Sequence, residues 1–469
     1  MTPAPRVGLL VNPIAGLGGR VGLGGTDGPD RAHQALLLGA TPLAATRATE
    51  ALRELRSRGS APLIVTGPGP LGEDAAQASG LRVQVVTKRG ARNHAPLPGQ
   101  PDTGPPAPTT PPARGARNRA PLPGERPTGT PKPTTPPARG AGNCAPLPGE
   151  RPTGTPEPTT PPARGAGNCA PNPDPRGTEP TLTTTPEDTR TTTTAILNAG
   201  VDLLLFAGGD GTARDILTAL NGTPQPVLGI PTGVKMHSAV FAVGPRAAGE
   251  VAHAHLTGTA HTHAAEVMDR DEAALKEGRT ASHLHGWLHV PHVPTRVQQR
   301  KTGSTTTPTD TTTGIAAELA AHIGDATLIL GPGTTTRSVA AALGADSSLT
   351  GVDVLDVRDG HAKAITLDAP EEELLAHIDP TRPTWVAVSP IGGQGFLLGR
   401  GNQQISPRVL RATGGKPHLL VLCPEQKLAA LHGRPLLLDT GDPALDAELT
   451  GHARVITGRH HISLYRTTH

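Results

Sequence analysis

The stretch 88–180 sets the first limit on what this chain can fold into. PPARGARNRAPLPGERPTGTPKPTT (111–135) recurs as PPARGAGNCAPLPGERPTGTPEPTT (136–160), with a degraded copy before it and another after, at a period of 25 residues. Each of these two copies carries one Leu as its whole supply of bulky apolar side chain. Stacked repeats hold together by burying an apolar face against their neighbours, and these copies have none. The composition therefore predicts a disordered Pro/Thr/Gly-rich insertion of polyproline and coil character. Cys144 and Cys169 fall at equivalent repeat positions, which reads as duplication. Any packed core must come from the two flanking stretches, and with aromatics at 1% it must be built from Leu, Val, Ile and Ala.

With the insertion set aside, the remainder alternates strand and helix patterns. VGLLVN (7–12), PLIVT (62–66), LRVQVV (81–86), VDLLLF (201–206) and PVLGI (226–230) are strand-like runs. Residues 41–58 have helical spacing, with Leu52 and Leu55 on one face and Gly59 placed to end the helix. TPEDTRTTTTAILNAG opens with Thr185, Pro186 and Asp188, the order of an N-cap, a first-turn proline and a capping acid, and closes at Gly200. Strands joined by helices predict a doubly wound parallel sheet, Rossmann-like, over 1–87 and 181–248. From 249 to 469 the pattern mixes helices with considerable strand content, which predicts a second, mixed α/β domain.

In doubly wound sheets ligands bind beyond the carboxyl ends of the strands. At such an end lies AGGDGTARDI (207–216). Gly208, Gly209 and Gly211 let a ligand approach the backbone and aim bare N–H groups at phosphate oxygens. Thr212 and Asp215 have the spacing of a capping pair, so a helix N-terminus is expected here, and its dipole favours anions. An acid at Asp210 is out of place beside a phosphate. It fits if a divalent cation lies between the two, or if the acid takes a proton from an attacking hydroxyl. Read alone, the pentapeptide is also compatible with a plain turn.

Further blocks share this character. VNPIAGLGGRVGLGGTDG (11–28), GIPTGVKMHSAVFA (229–242), GPGTTTRS (331–338) and PIGGQGFLLGRGNQQISP (390–407) appear in order around the GGDGT strand end. The five together resemble the ATP-NAD kinase family, including its acetoin-catabolism X-type proteins, within the NAD kinase and diacylglycerol kinase superfamily. The resemblance implies a kinase that phosphorylates NAD at the adenosine-ribose 2′-hydroxyl with ATP and Mg²⁺ to give NADP. It implies Asp210 as the catalytic acid and Gly208, Gly209, Gly211 and Thr212 as the nucleotide-phosphate loop. Asn12 stands where both branches of the superfamily place an Asn after the first strand, with Gly16, Gly18 and Gly19 as a second close-approach loop. Gly392, Gly393, Gln394 and Gly395 replace the glycine–serine turn of the NAD kinases, and Asn402 and Gln403 follow with amides suited to ribose hydroxyls and base edges. The Asn-Glu pair of bacterial NAD kinases has no counterpart. Gly331, Gly333, Thr334 and Thr335 offer an anion cradle in its place, and Lys235 is a further cation near the site. The superfamily leaves a lipid or other small-alcohol kinase, and a non-catalytic nucleotide-binding regulator, as alternatives. It allows a homo-oligomer.

Other features narrow the partners. A formal net charge of +3 does not call for nucleic acid. No apolar run of about 18 residues predicts a membrane span, no signal peptide opens the chain, and three cysteines without metal or disulfide spacing suit the cytoplasm. Histidines come in pairs (253 and 255, 261 and 263, 283 and 285, 289 and 292), and those two positions apart would share a strand face, which reads as a polar face before it reads as a metal site. EEELL (371–375) reads as an exposed helix start.

Overall fold

The computed structural model describes residues 4–23, 29–86, 184–233, 236–270, 282–294, 296–298 and 309–469. The expectations for 88–180, including Cys144 and Cys169, and for Lys235 lie outside these residues. The described residues belong to one compact unit, Met1–Asn93 with Pro180–His469.

Five short apolar strands build the first sheet. They are β1 (Arg6–Val11), β2 (Leu63–Thr66), β3 (Arg82–Val85), β4 (Leu203–Gly208) and β5 (Val227–Pro231). All pair parallel, in the order β3-β2-β1-β4-β5. Every residue of β4 is buried, as expected of a parallel strand covered on both faces. The chain steps outward from β1 to β3 and returns to the opposite side of β1 for β4, so the order reverses between β1 and β4. In doubly wound sheets such a reversal, at the carboxyl ends of the strands, is where ligands bind.

The flanking helices start and stop where the sequence signals place them. Helix Ala44–Ser57 buries Ala48, Leu52 and Leu55, and Gly59 follows it with φ of 89°. It packs against helix Pro245–Leu256 closely enough that a Cβ on Gly249 would stand 2.5 Å from the Ala51 carbonyl oxygen. Helix Pro186–Asn198 opens with a complete capping box. Asp188 N donates to Thr185 Oγ1 at 3.2 Å, and Thr185 N donates to Asp188 Oδ2 at 3.1 Å.

A hairpin of β6 (His261–Arg270) and β7 (Ser282–His292) follows, and its Ala265, Val267, Leu288 and Val290 join the core of the first sheet. His261, His263, His283, His285, His289 and His292 lie on these strands. His253 and His255 do not share a strand face, because they fall on helix Pro245–Leu256. Among the described residues no three His, Cys, Asp or Glu side chains are grouped to hold a metal.

The second sheet has nine strands: β8 (Ala326–Leu330), β9 (Asp353–Arg358), β10 (His361–Thr366), β11 (Thr384–Val388), β12 (Phe396–Leu398), β13 (Leu419–Leu422), β14 (Leu436–Leu438), β15 (Gly451–Gly458) and β16 (His461–Thr468). The order is β10-β9-β8-β11-β13-β15-β16-β14-β12, with β8, β11, β13 and β15 parallel and antiparallel pairs at β8–β9, β9–β10 and β15–β16. The fold is thus α/β, with a Rossmann-like parallel sheet and a second mixed sheet. EEELL begins helix Glu371–Ala376 but is not wholly exposed, since Glu371 is buried and accepts a hydrogen bond from Ser406 Oγ. No described helix is long and apolar enough to cross a membrane.

Candidate active site

The reversal between β1 and β4 brings the first and second glycine blocks together. Asn12 ends β1 and ties it to β4, with its N–H donating to Ala207 O at 2.9 Å. Its side-chain Nδ2 donates to Thr212 Oγ1 at 3.0 Å, and its Oδ1 accepts from Thr184 Oγ1 at 3.0 Å. Gly208 is required for space, because a Cβ there would lie 2.6 Å from the Thr212 side chain. Gly209 is extended, at φ −120° and ψ −165°, and faces the backbone of Gly233. Close approach, not left-handed backbone, is what these glycines supply. The expected Thr212–Asp215 capping pair is not formed. Helix Asp210–Leu220 starts three residues earlier, with Gly209 at the N-cap position, and the Thr212 hydroxyl accepts from Asn12 instead. Gly211 lies in the first turn of this helix.

Asp210 is buried, and polar groups surround its carboxylate. Oδ1 accepts from Ser238 N at 3.1 Å and from Ser238 Oγ at 2.6 Å, while Oδ2 accepts from His237 N at 2.7 Å. His237 Nδ1 stands 3.4 Å from Oδ2 and has no hydrogen-bond partner. Met268 N donates to Ser238 Oγ at 2.9 Å, so the clamp is anchored in the hairpin. His237 and Ser238 escaped the motif reading although both lie inside GIPTGVKMHSAVFA. The signal was polar residues in an otherwise apolar and glycine-rich run.

The C-terminal blocks arrive from two directions. Gln394 Nε2 donates to Met236 O at 3.3 Å, and Gln394 Oε1 is buried without a partner. This brings the loop of Gly392, Gly393 and Gly395 against the segment that clamps Asp210. Asn402 turns inward, with Nδ2 donating to Leu397 O and Oδ1 accepting from Gly399 N, both at 2.9 Å. Both ends of its amide thus hold its own loop. Gln403 donates to Gly399 O and packs against Gly19, where a Cβ would lie 3.1 Å away. Gly331, Gly333, Thr334 and Thr335 sit at the carboxyl end of β8, opening helix Thr334–Ala342. Lys427 Nζ bridges Thr335 Oγ1 and Ser389 Oγ there, at 3.3 and 2.9 Å. This group lies on the second sheet and reaches the Asp210 end through the loop that runs from Ser389 to Gln394.

A charged cluster absent from the sequence reading fills the space beside Gly16. Arg47 binds Asp439 through two hydrogen bonds of 2.9 and 2.7 Å and donates to Pro231 O at 2.8 Å. Arg400 Nη1 lies 2.5 Å from Asp439 Oδ2, and its guanidinium stacks over Phe396. Burial alone would raise the Asp439 carboxyl, but the two guanidiniums outweigh it and hold it below the usual carboxylate range. Burial lowers the Arg400 guanidinium. A cavity of about 30 Å³ opens between this cluster and the glycine loop, walled by Gly16, Gly19, Arg20, Thr232 and Gln403 among others. A second cavity, of about 220 Å³, shares Arg47 and Asp439 and is lined also by Glu50 and Asp446, whose carboxyls burial pushes up. Neither cavity is lined by Asp210. Arg47 had a signal in the sequence, being a charge on the apolar face that carries Ala44, Ala48 and Ala51.

A carboxylate at a strand-to-helix turn, glycine loops at the carboxyl ends of adjacent parallel strands and buried arginines thus occur together on this α/β fold. Residues 159–260 match the family model of the ATP-NAD kinase N-terminal domain, and residues 323–467 match that of the ATP-NAD kinase C-terminal domain. The two segments together span more than half of the chain, which belongs to the ATP-NAD kinase family. The Asn12–Gly19 block precedes both matched segments. No curated protein and no solved structure matches the chain.

Proposed function

We propose that the protein is an ATP-dependent NAD kinase, which transfers the γ-phosphoryl group of ATP to the adenosine-ribose 2′-hydroxyl of NAD. The observation that carries this reading is Asp210 at the turn from β4 into its helix, fixed by His237 and Ser238 beside the linked Asn12 and Thr212. In the proposed step Asp210 accepts the proton of the 2′-hydroxyl. The ribose oxygen forms its bond to γ-phosphorus as the bond to the ADP oxygen breaks, giving NADP and ADP. His237 Nδ1 is the next group that proton can reach. Gly208, Gly209, Gly211 and Thr212, with Gly16, Gly18 and Gly19, would line the nucleotide phosphates. Gln394, with its unpartnered Oε1, would meet the acceptor.

The chain offers no cage of acids for a metal ion among its described residues, which suits Mg²⁺ carried largely by substrate phosphates with Asp210 as its protein carboxylate. The ion when bound would neutralise charge on the transferring group. The proposal divides the chain into 1–87 with 181–248, and 249–469, and treats the enzyme as cytoplasmic.

One observation favours a second reading, a nucleotide-binding protein without turnover: both oxygens of Asp210 are occupied, and neither cavity reaches it. Incubation with γ-labelled ATP, Mg²⁺ and a panel of acceptors separates the two. Label on NAD is the expected result. Label on a diacylglycerol would move the protein to the lipid-kinase branch, and NAD binding without label would favour the non-catalytic reading.

A further inference from the structure

We infer that the small cavity bounded by Arg20, Arg47, Arg400 and Thr232 seats one phosphate group of a condensed phosphate chain, the chemistry shared by a nucleoside triphosphate and inorganic tripolyphosphate. The inference deepens the kinase reading and rests on it only for the transfer that follows binding.

Charge is the first argument. Three arginines and one acid, Asp439, line the cavity. Arg47 and Arg400 are both buried and share that carboxylate, with Glu50 and Asp446 within electrostatic reach from the neighbouring cavity, so on this side the groups an anion would meet are guanidiniums. Glu50 and Asp446 line the neighbouring cavity and not this one.

Unused donors are the second argument. Arg400 Nε and Thr232 Oγ1 are buried without a hydrogen-bond partner, on residues 4% and 5% exposed. Buried polar groups are nearly always paired, and guanidinium and hydroxyl donors suit phosphate oxygens.

Shape is the third. Gly16 has φ of 85°, and a Cβ there would lie 2.0 Å from Thr232 O. Gly399 has φ of 84°, and a Cβ would collide with Asp439 O. The walls are bare backbone brought as close as backbone can come. At about 10–15 Å³ per water, a cavity of about 30 Å³ has room for two or three waters or a single phosphoryl group. Thr232 N donates to Gly208 O at 3.1 Å, and Gly233 lies against Gly209, so the seat adjoins the loop that carries Asp210.

Calorimetric titration of the full-length protein with sodium tripolyphosphate, and separately with Mg-ATP, tests this. Arg400→Met leaves the Arg47–Asp439 pair balanced, and Arg20→Gln alters only a half-buried side chain, so one or both variants should fold. The expected result is at least tenfold weaker binding in each folded variant, with the KM for the phosphoryl donor raised and that for NAD unchanged. Equal affinity for both probes would place the seat's chemistry in the phosphate chain itself, whereas binding of ATP alone would assign it to the nucleotide form. Either outcome supports the seat. Unchanged affinity for both probes in both variants, or no binding by the wild type, would overturn it and leave the arginines as a structural latch. Arginine-dependent binding without NADP formation would remove the kinase reading and keep the seat. NADP formation with unaltered donor KM in the variants would do the reverse.

Discussion

Asp210 and Asp439 are both buried acids near the glycine loops, and the fold holds them in opposite ways. Asp439 meets two guanidiniums, which keep it charged and already neutralised. Asp210 meets two backbone amides, one hydroxyl and one imidazole, with no fixed cation among them. Amide donors fix a carboxylate in place without cancelling its charge. The first arrangement suits an acid that organises surrounding arginines. The second suits one that must act on a substrate hydroxyl or a substrate-borne cation.

Four expectations sharpen or break that contrast. The largest effect is on rate: Asp210→Asn should lower NADP formation by at least about 100-fold, the usual scale for removing a general base, with a smaller loss of stability of about 1–3 kcal/mol, because the amide leaves one buried donor unpaired. Activity within a few-fold of wild type would dissolve the distinction. Asp439→Asn should act on stability, lowering it by about 3–5 kcal/mol in urea titration, because it leaves two buried guanidiniums without their anion. A stability equal to wild type would show that the cluster is not the charge centre described.

The pH dependence of that loss has a definite sign. The Asp439 carboxyl lies below its ordinary value in the folded protein, so its stabilisation is full above the unfolded value of about 3.9 and fades as pH falls through the folded value. The stability gap between wild type and Asp439→Asn should stay constant above about pH 5 and narrow below about pH 4. A gap that widens with acid would contradict the pairing. The smallest effect belongs to Thr185→Ala, which removes the capping box of helix Pro186–Asn198 and no hydrogen bond of either acid. It should cost about 1 kcal/mol by thermal or urea unfolding and leave turnover unaltered.

The same contrast marks what could be read in the sequence. Elements set by local chemistry were legible: the apolar β4 run, the Thr185–Asp188 cap, and Gly59 and Gly200 beyond their helices. Asp210 stood out because an acid among glycines after a buried strand is chemically conspicuous. Its partners did not, since His237 and Ser238 reach it through backbone geometry that no spacing rule encodes. Arg47 lies hundreds of residues from Arg400 and Asp439, and the three meet only through the tertiary fold. Thr212 misled because its spacing to Asp215 imitates a cap while its hydroxyl is taken by Asn12, 200 positions away. Asn402 misled for a related reason, as an amide can serve its own loop as readily as a ligand.

The proposed role of Asp210 is in moving a phosphoryl group onto the adenosine ribose of NAD. Phosphorus NMR of the wild-type reaction with NAD, Mg²⁺ and ATP tests it most directly. The account predicts a new phosphate monoester on the ribose 2′ oxygen, with one ADP formed for each ester. ATP and NAD that remain unchanged in the presence of folded, NAD-binding protein would contradict it.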